Sequence, residues 1–402
     1  MHQLNSIGPN VLAILGCLCS TKSDRGFLAF GAINNSFVLK SAIGKHMIYF
    51  ATIVVTLLVG LFLVRYHDVV LPSSIDRCDD RARQASHVGE PVRYGGIAVF
   101  AGLWAGCFLL GNSTEETFFL LLLISASPVV LTGLAEDLGY RMSPRRRLLA
   151  AVASAVVAVA LLGVWVPRAD LPWFNWLMSI YPLALALTVI FAAGFCHAVN
   201  LIDGMNGLAT MNAAITALGL AAIAASTAET DIMFFTLIFV TCLIGFLALN
   251  WPYAQMFLGD AGAYGIGHLL AWVAILLAAR VDEVAVPALL LVLFWPIADV
   301  FHTIYRRLLD GKAAFQPDRM HLHHKVRRAI DMVYFGYNEK GKSNPLTTLV
   351  LAPFIAMPVI TGAIFWSQPV TAWIALAVYF IVFAIAHKLT THWALRYRKS
   401  AR

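Results

Sequence analysis

The sequence predicts an all-α protein, a polytopic transmembrane bundle of about eleven helices with its working end on the cytoplasmic face. Three observations predict it. The 402 residues are 60% hydrophobic and only 13% charged, with a mean hydropathy of +0.76; a soluble domain carries about 25% charged residues. Apolar runs close to the roughly 20 residues needed to cross a bilayer recur along the chain. Lys and Arg gather in alternate connections, the pattern that cytoplasmic loops show.

In chain order, spans are expected near 47–65, which runs into Arg65, and 94–111. The next, 118–135, lies between Glu115-Glu116 and Glu136-Asp137, and 148–166 follows Arg145-Arg146-Arg147. Further spans fall near 176–196, 207–228 and 232–249, then 261–279, which stops at Arg280, and 284–304, which stops before Arg306-Arg307. The last two are 346–366 and 369–387. One set of connections holds Arg77, Arg81, Arg83, Arg93, Arg141, Lys312, Arg319, Lys325, Arg327, Arg328, Lys340 and Lys342. The opposite set holds only Arg168 and Arg280, beside Glu229, Asp231, Asp282 and Glu283. The first span therefore starts outside and the C-terminus lies inside.

The chain is expected to comprise an N-terminal extension (1–46), an integral membrane domain (47–392) and a basic cytoplasmic tail (393–402). The extension carries Lys40 and Lys45 on the outer side of the first span, against the charge trend, so a mis-assigned start at Met1 or a dispensable extension is expected. The net charge of +7 reflects topology and contact with anionic membrane lipids. The hydropathy excludes a soluble nucleic-acid binder. Six cysteines (17, 19, 78, 107, 196 and 242) form no CxxC pair and receive no disulfide or metal role.

Five acids sit at cytoplasmic ends of apolar runs: Glu136, Asp137, Asp203, Asp260 and Asp299. A carboxylate at membrane depth is costly and points to function. The stretch Asn200-Leu201-Ile202-Asp203-Gly204-Met205-Asn206-Gly207 offers oxygen donors for a hard cation or a sugar hydroxyl, with glycines that allow a close backbone approach. A turn capping the next helix explains the same residues. Phe257-Leu258-Gly259-Asp260-Ala261-Gly262 puts an aspartate at a helix start, where metal and phosphate can bind; a cap again suffices. The run Pro317-Asp318-Arg319-Met320-His321-Leu322-His323-His324 has three histidines, but its spacing does not put two imidazoles on one helix face and no cysteine is near, which argues against zinc. Arg319 and the histidines suit a phosphate or a sugar better. Glu136-Asp137 pairs two carboxylates that repel unless a cation or a proton relieves them.

Together these segments resemble the polyprenyl-phosphate N-acetylhexosamine-1-phosphate transferases (glycosyltransferase family 4 type), most of all those that act on undecaprenyl phosphate and N-acetylglucosamine. The likeness runs from about Arg77 to His324. It includes Arg93-Tyr94-Gly95-Gly96, the acidic pair, NxxDGxxGL, FxGDxG, Pro296 to Asp299 and PDRxHxHH. The resemblance implies transfer of an N-acetylaminosugar 1-phosphate from a UDP-sugar to undecaprenyl phosphate, with release of UMP and initiation of a surface polysaccharide such as O-antigen. It implies Mg²⁺, for which Mn²⁺ can substitute, in the bacterial inner membrane, with a homodimer as a compatible assembly.

By motif position, Asp260 is the implied principal metal ligand, with Asp203 and Asp137 beside it. Glu136, His321, His323 and His324 complete the implied catalytic set. Asn200, Gly204, Met205, Asn206, Asn250 and Phe257 map onto the nucleotide site, Phe257 as the ring that stacks on uracil. Arg319 maps onto the sugar-phosphate, and Arg93 and Arg145 onto lipid phosphate. Two departures stand out: Glu136 where the family usually has Asp, and Asn206 where it usually has a second Asp. The related phospho-MurNAc-pentapeptide translocases usually have three consecutive histidines where this chain reads His321-Leu322-His323-His324. A proton-coupled transporter would place its acids near the bilayer midplane between inverted repeats, and no such repeat is found.

Overall fold

The computed structural model describes residues 31–66, 92–111, 114–309, 311, 320–335 and 340–400. It divides into two units, Met1–Ile48 and Tyr49–Arg402. Of the first unit, the described residues belong to the start of a long helix, Gly31–Arg65 (α1). The span expected near 47–65 appears as Gly44–Arg65, within a helix that starts at Gly31, and residues 1–30 of the expected extension lie outside the described residues.

Among its described residues the second unit consists of helices and their connections, with an isolated parallel bridge between Val92 and Met256. After α1 come Gly95–Leu110 (α2), Thr114–Asp137 (α3), Pro144–Leu162 (α4), Pro172–Met178 (α5), Tyr181–Ile202 (α6), Leu208–Ser226 (α7) and Thr230–Asn250 (α8). Gly259–Arg280 (α9), Val286–Val292 (α10), Phe294–Leu309 (α11), Leu322–Ile330 (α12), Lys340–Ile364 (α13) and Pro369–Ser400 (α14) follow. Among the described residues, eight helices are long and apolar enough to cross a membrane. The chain is a multi-pass membrane protein.

Three expected spans differ in kind from these eight. α2 has 16 residues, and α4 opens on three arginines after Ser143, whose side chain accepts the Arg146 N–H. The run expected as one span at 284–304 is broken, with α10 and α11 meeting at 86°. Thr216 on α7 donates to the Val292 carbonyl at that break, since a backbone group freed at membrane depth needs a partner.

α9 is the central helix. Every residue from Ala261 to Ala278 is buried, as a helix apolar on all sides should be, and it packs against α3, α6, α2 and α7. Gly96 and Gly262 let α2 and α9 meet backbone to backbone: a Cβ on Gly96 would sit 2.4 Å from the Gly262 nitrogen. At the far end of α9, Arg168 donates to the carbonyls of Ala278, Val281, Asp282 and Val284. Ala278 is among the last-turn carbonyls a helix C-terminus leaves open, and the other three lie in the connection just beyond it. Both ends of α9 are thereby fixed. Chain alternation puts the ends of α3, α6, α8, α11 and α14 and the starts of α4, α7, α9 and α13 at one end of the bundle, which also carries the basic residues.

Candidate active site

The N-terminus of α9 is capped from another helix. Asp137, the last residue of α3, accepts the backbone N–H of Asp260 at Oδ1 (2.8 Å) and that of Ala261 at Oδ2 (2.9 Å). No side chain from the adjacent chain does this, because the residue before α9 is Leu258. Gly259 has φ +74°, and a Cβ there would lie 2.1 Å from the Arg93 carbonyl oxygen and 2.6 Å from Asp137 Oδ2. Residues 92–96 are tied to the same turn: Phe257 donates to the Val92 carbonyl, Gly95 to Phe257 and Gly96 to Leu258.

Asp260 is thus free of capping. Its Oδ2 pairs with Arg147 Nη1 at 3.1 Å, both side chains about a quarter exposed. Asn200, at the end of α6, lies within reach of the Asp260 carboxylate and the Tyr264 hydroxyl. Asp203 follows the end of α6. Burial pushes its carboxyl up to about 7; the nearby Arg93 opposes the rise and the Asp260 charge adds to it. Arg93 acts electrostatically on Asp137, Asp203 and Asp260 alike. Glu136 turns to the connection after α3, accepting the Met142 N–H at 2.7 Å. Arg145 is exposed, so the arginine meeting the acids is Arg147, two positions beyond the one the motif suggested.

The donor chemistry fits Mg²⁺. Asp260 interacts electrostatically with both Asp137 and Asp203, and oxygen donors suit a hard cation. Among the described residues no three His, Cys, Asp or Glu side chains converge as a preformed cage. Mg²⁺ is usually bound by one or two carboxylates, with water and substrate phosphate completing the shell, so a partial set is the fitting one.

The loop after Asp203 is closed on itself and on α13. Asn206 donates from its backbone to Asn344 Oδ1 (2.8 Å) and from Nδ2 to the Pro252 carbonyl (2.8 Å), and its own carbonyl accepts from Thr348. Its Oδ1 is buried without a partner. Asn250 donates to the Met256 carbonyl at 2.7 Å, closing the turn before α9. Met205 is fully buried and Phe257 is 6% exposed. Gly204 keeps partial exposure. Of the residues mapped to the nucleotide, Asn250, Met205 and Phe257 are thus packed inward, and the uracil-stacking expectation for Phe257 meets a ring that is covered.

The histidines form a second cluster. His321 is the residue before α12 and His323 and His324 are in its first turn; all three are buried, not displayed on a solvated loop. Asp299 on α11, 2% exposed, accepts from His321 Nδ1 at 2.8 Å and from the Leu322 N–H. A proton on Nδ1 leaves Nε2 of His321 as the lone-pair nitrogen. His323 stacks on His321 at 5.6 Å with planes 9° apart; neither of its nitrogens makes a hydrogen bond, and Nδ1 lies 3.9 Å from Asp299 Oδ2. Burial holds the His323 ring down at about 4, with the Asp299 charge opposing the shift and His321 adding to it. Burial also lowers His324, helped by His323, His321, Arg327 and Arg328. α11 packs against α6, which brings this cluster to the end of the bundle that carries Asp203. Arg319 lies outside the described residues.

Residues 119–278, which contain both aspartate motifs and nearly all of α9, match the family described as Glycosyl transferase family 4. The likeness to that family covers about two fifths of the chain. A probable undecaprenyl-phosphate N-acetylglucosaminyl 1-phosphate transferase of Bacillus subtilis is 28% identical over 253 residues, covering 63% of this chain and 70% of the relative. A decaprenyl-phosphate N-acetylglucosaminephosphotransferase of Mycobacterium leprae is 26% identical over 321 residues, 71% of this chain and 77% of its own. An undecaprenyl-phosphate alpha-N-acetylglucosaminyl 1-phosphate transferase of Salmonella typhi is 25% identical over 315 residues, covering 77% and 81%.

Several residues of this site escaped the motif reading. Arg147 was one of three consecutive arginines; position i+4 from the Ser143 cap is what turns it toward Asp260. Asp299 was noted as a membrane acid, but its pairing with His321 spans 22 positions and no local spacing announces it. Tyr264 sits one helical turn after Asp260, a signal that was available. Asn344 and Thr348 reach the Asn206 loop from 138 and 142 positions away.

Proposed function

We propose that this transferase moves N-acetylglucosamine 1-phosphate from UDP-N-acetylglucosamine to undecaprenyl phosphate at the cytoplasmic face of the bacterial inner membrane. UMP is released and the lipid-linked product starts a surface polysaccharide. The observation that carries the reading is the union of Asp137, Asp203 and Asp260 with Arg93 and Arg147 at the basic end of the bundle. The names of the relatives support the sugar and the polyprenyl acceptor.

An oxygen of the lipid phosphate attacks the β-phosphorus of the UDP-sugar. The bond from that phosphorus to the oxygen bridging to the α-phosphorus breaks, and UMP leaves with that oxygen. Asp260 and Asp203 would hold Mg²⁺, with Asp137 fixing the Asp260 backbone; the ion would supply neutralisation of diphosphate charge. Arg147 and Arg93 offset the charge of the lipid phosphate. A phosphate monoester has its second pKa near 6, so the lipid phosphate reaches the site largely unprotonated near neutral pH. His321, oriented through Nδ1 by Asp299, presents Nε2 to the sugar-phosphate.

The test is purified protein in detergent with undecaprenyl phosphate and UDP-N-acetylglucosamine labelled in sugar and β-phosphate. Both labels should pass to lipid as UMP appears in equal amount. Transfer from a different UDP-aminosugar in a panel would correct the sugar. No UMP from any of them would defeat the reading.

A further inference from the structure

A second buried polar junction joins the histidine segment to the last helix. Lys325 on α12, 6% exposed, donates from Nζ to His387 Nδ1 at 3.1 Å and to Thr391 Oγ1. His387 on α14, 4% exposed, has its other ring nitrogen, Nε2, 2.9 Å from the Met320 carbonyl oxygen. An ammonium only donates and a carbonyl only accepts. The two partners therefore demand the same neutral tautomer, with the lone pair on Nδ1 and the proton on Nε2. His302 on α11 lies against the imidazole, ring centres 3.9 Å apart, and confines its plane.

Met320 immediately precedes His321. Asp299 holds the His321 ring from α11, and His387 holds the carbonyl just before it from α14. α14 is otherwise peripheral, with only 17% of its apolar window buried. That such a helix sends a fully engaged imidazole inward, beside a buried ammonium that is costly to desolvate, is not explained by packing.

We infer that His387 is a positioning residue for the reaction: its Nε2–H, kept in that tautomer by Lys325, fixes the Met320 carbonyl and so the approach of His321 to the substrate. This rests on the transferase reading above. Lys325 and Thr391 hold the ring to α12, so the clamp also sets how α12 seats against α14.

The test compares His387→Ala, His387→Gln and His387→Asn in the UMP-release assay and by diethyl pyrocarbonate labelling of His321, read by mass spectrometry. A glutamine amide nitrogen reproduces the Nε2 donor; an asparagine oxygen reproduces only the Nδ1 acceptor. Alanine and asparagine should lower kcat about tenfold, the cost of one lost hydrogen bond. KM for the UDP-sugar should stay within about twofold, and His321 should label faster. Glutamine should recover most of both. Unchanged kcat in all three, equal loss in all three, or rescue by asparagine in place of glutamine overturns the inference. A wild-type protein that releases no UMP from any UDP-sugar defeats the transferase reading alone. Labelling then still decides the clamp: faster modification of His321 in His387→Ala supports it, and unchanged protection overturns it.

Discussion

The Asp137 carboxylate accepts the backbone N–H of Asp260 at 2.8 Å, joining the acid that ends one span to the acid that opens another 123 positions later. The pairing divides two tasks that a motif reading gives to either residue. Asp137 satisfies two of the open N–H groups of α9 and sits at the positive end of its dipole. Asp260 is left to face Arg147 and whatever binds there. The acidic pair of α3 is split as well, because Glu136 serves the turn at Met142.

Asp137→Asn should therefore damage the fold as well as turnover. Asparagine can accept one of the two N–H bonds but points its own donor at the other. A buried donor left without a partner costs about 1–3 kcal/mol, and the favourable charge at the helix start is lost too. A lowered melting temperature beside reduced UMP release is the expected pair of results. A variant that melts with wild type would refute the capping role.

Gly259→Ala tests the same junction without touching a charge. A left-handed backbone costs a non-glycine residue roughly 1–2 kcal/mol, and the added methyl would overlap the Arg93 carbonyl and Asp137. The turn must shift, carrying Asp260 with it. Expected are a clear drop in melting temperature and near-complete loss of activity, and an alanine variant with normal turnover would mean the turn is tolerant.

Arg147 and Arg145 should separate sharply. Arg147 touches Asp260 and Arg145 is exposed. Arg147→Ala is expected to lower kcat/KM at least tenfold, whereas Arg145→Ala should stay within about twofold. Equal effects would return Arg145 to the site.

The bundle was legible because hydropathy and basic-residue alternation report it residue by residue. The three aspartates were legible because a carboxylate in an apolar setting has few structural excuses. What the sequence concealed depends on long-range closure. The apolar run from Val284 to Ile304 reads as one span, since periodicity carries no sign of the 86° turn after Val292. The histidines read as a loop because polar residues near a span end look solvated. Only Asp299, Thr303 and His387 approaching from other helices show that they are buried and held. Phe257 reads as an available ring, but its neighbours in space cover it.

Burial of His323 predicts acid sensitivity. Its folded pKa of about 4 lies below the ordinary 6.5, so between those values the unfolded chain binds more protons. The contribution is complete above about 6.5 and is lost as pH falls toward 4, by up to about 3 kcal/mol. Asp203 runs the other way: its carboxyl is raised to about 7, and its contribution is lost as pH rises through that value. Comparing wild type with His323→Gln cancels Asp203. The melting temperature of the variant should fall less steeply between pH 7 and 4.5, and parallel profiles would show that His323 does not titrate in this range.

Asp260→Asn separates metal binding from structure more cleanly than any other change. The side chain of Asp260 does not cap α9, because Asp137 does, so the substitution leaves both backbone bonds of that cap in place. Its ion pair with Arg147 is about a quarter exposed, and loss of such a pair costs about 1 kcal/mol or less. The fold should therefore survive with a small change in melting temperature. An amide oxygen binds a hard cation far less well than a carboxylate. The stabilisation that added Mg²⁺ gives the wild type in a melting experiment should largely disappear, and UMP release should fall by at least about a hundredfold, the scale on which one electrostatic contact to a reacting group acts. Higher Mg²⁺ or Mn²⁺ should restore little of it. A purified variant with near-normal turnover and an unchanged Mg²⁺ response would show that Asp260 does not hold the ion, and the task would pass to Asp203.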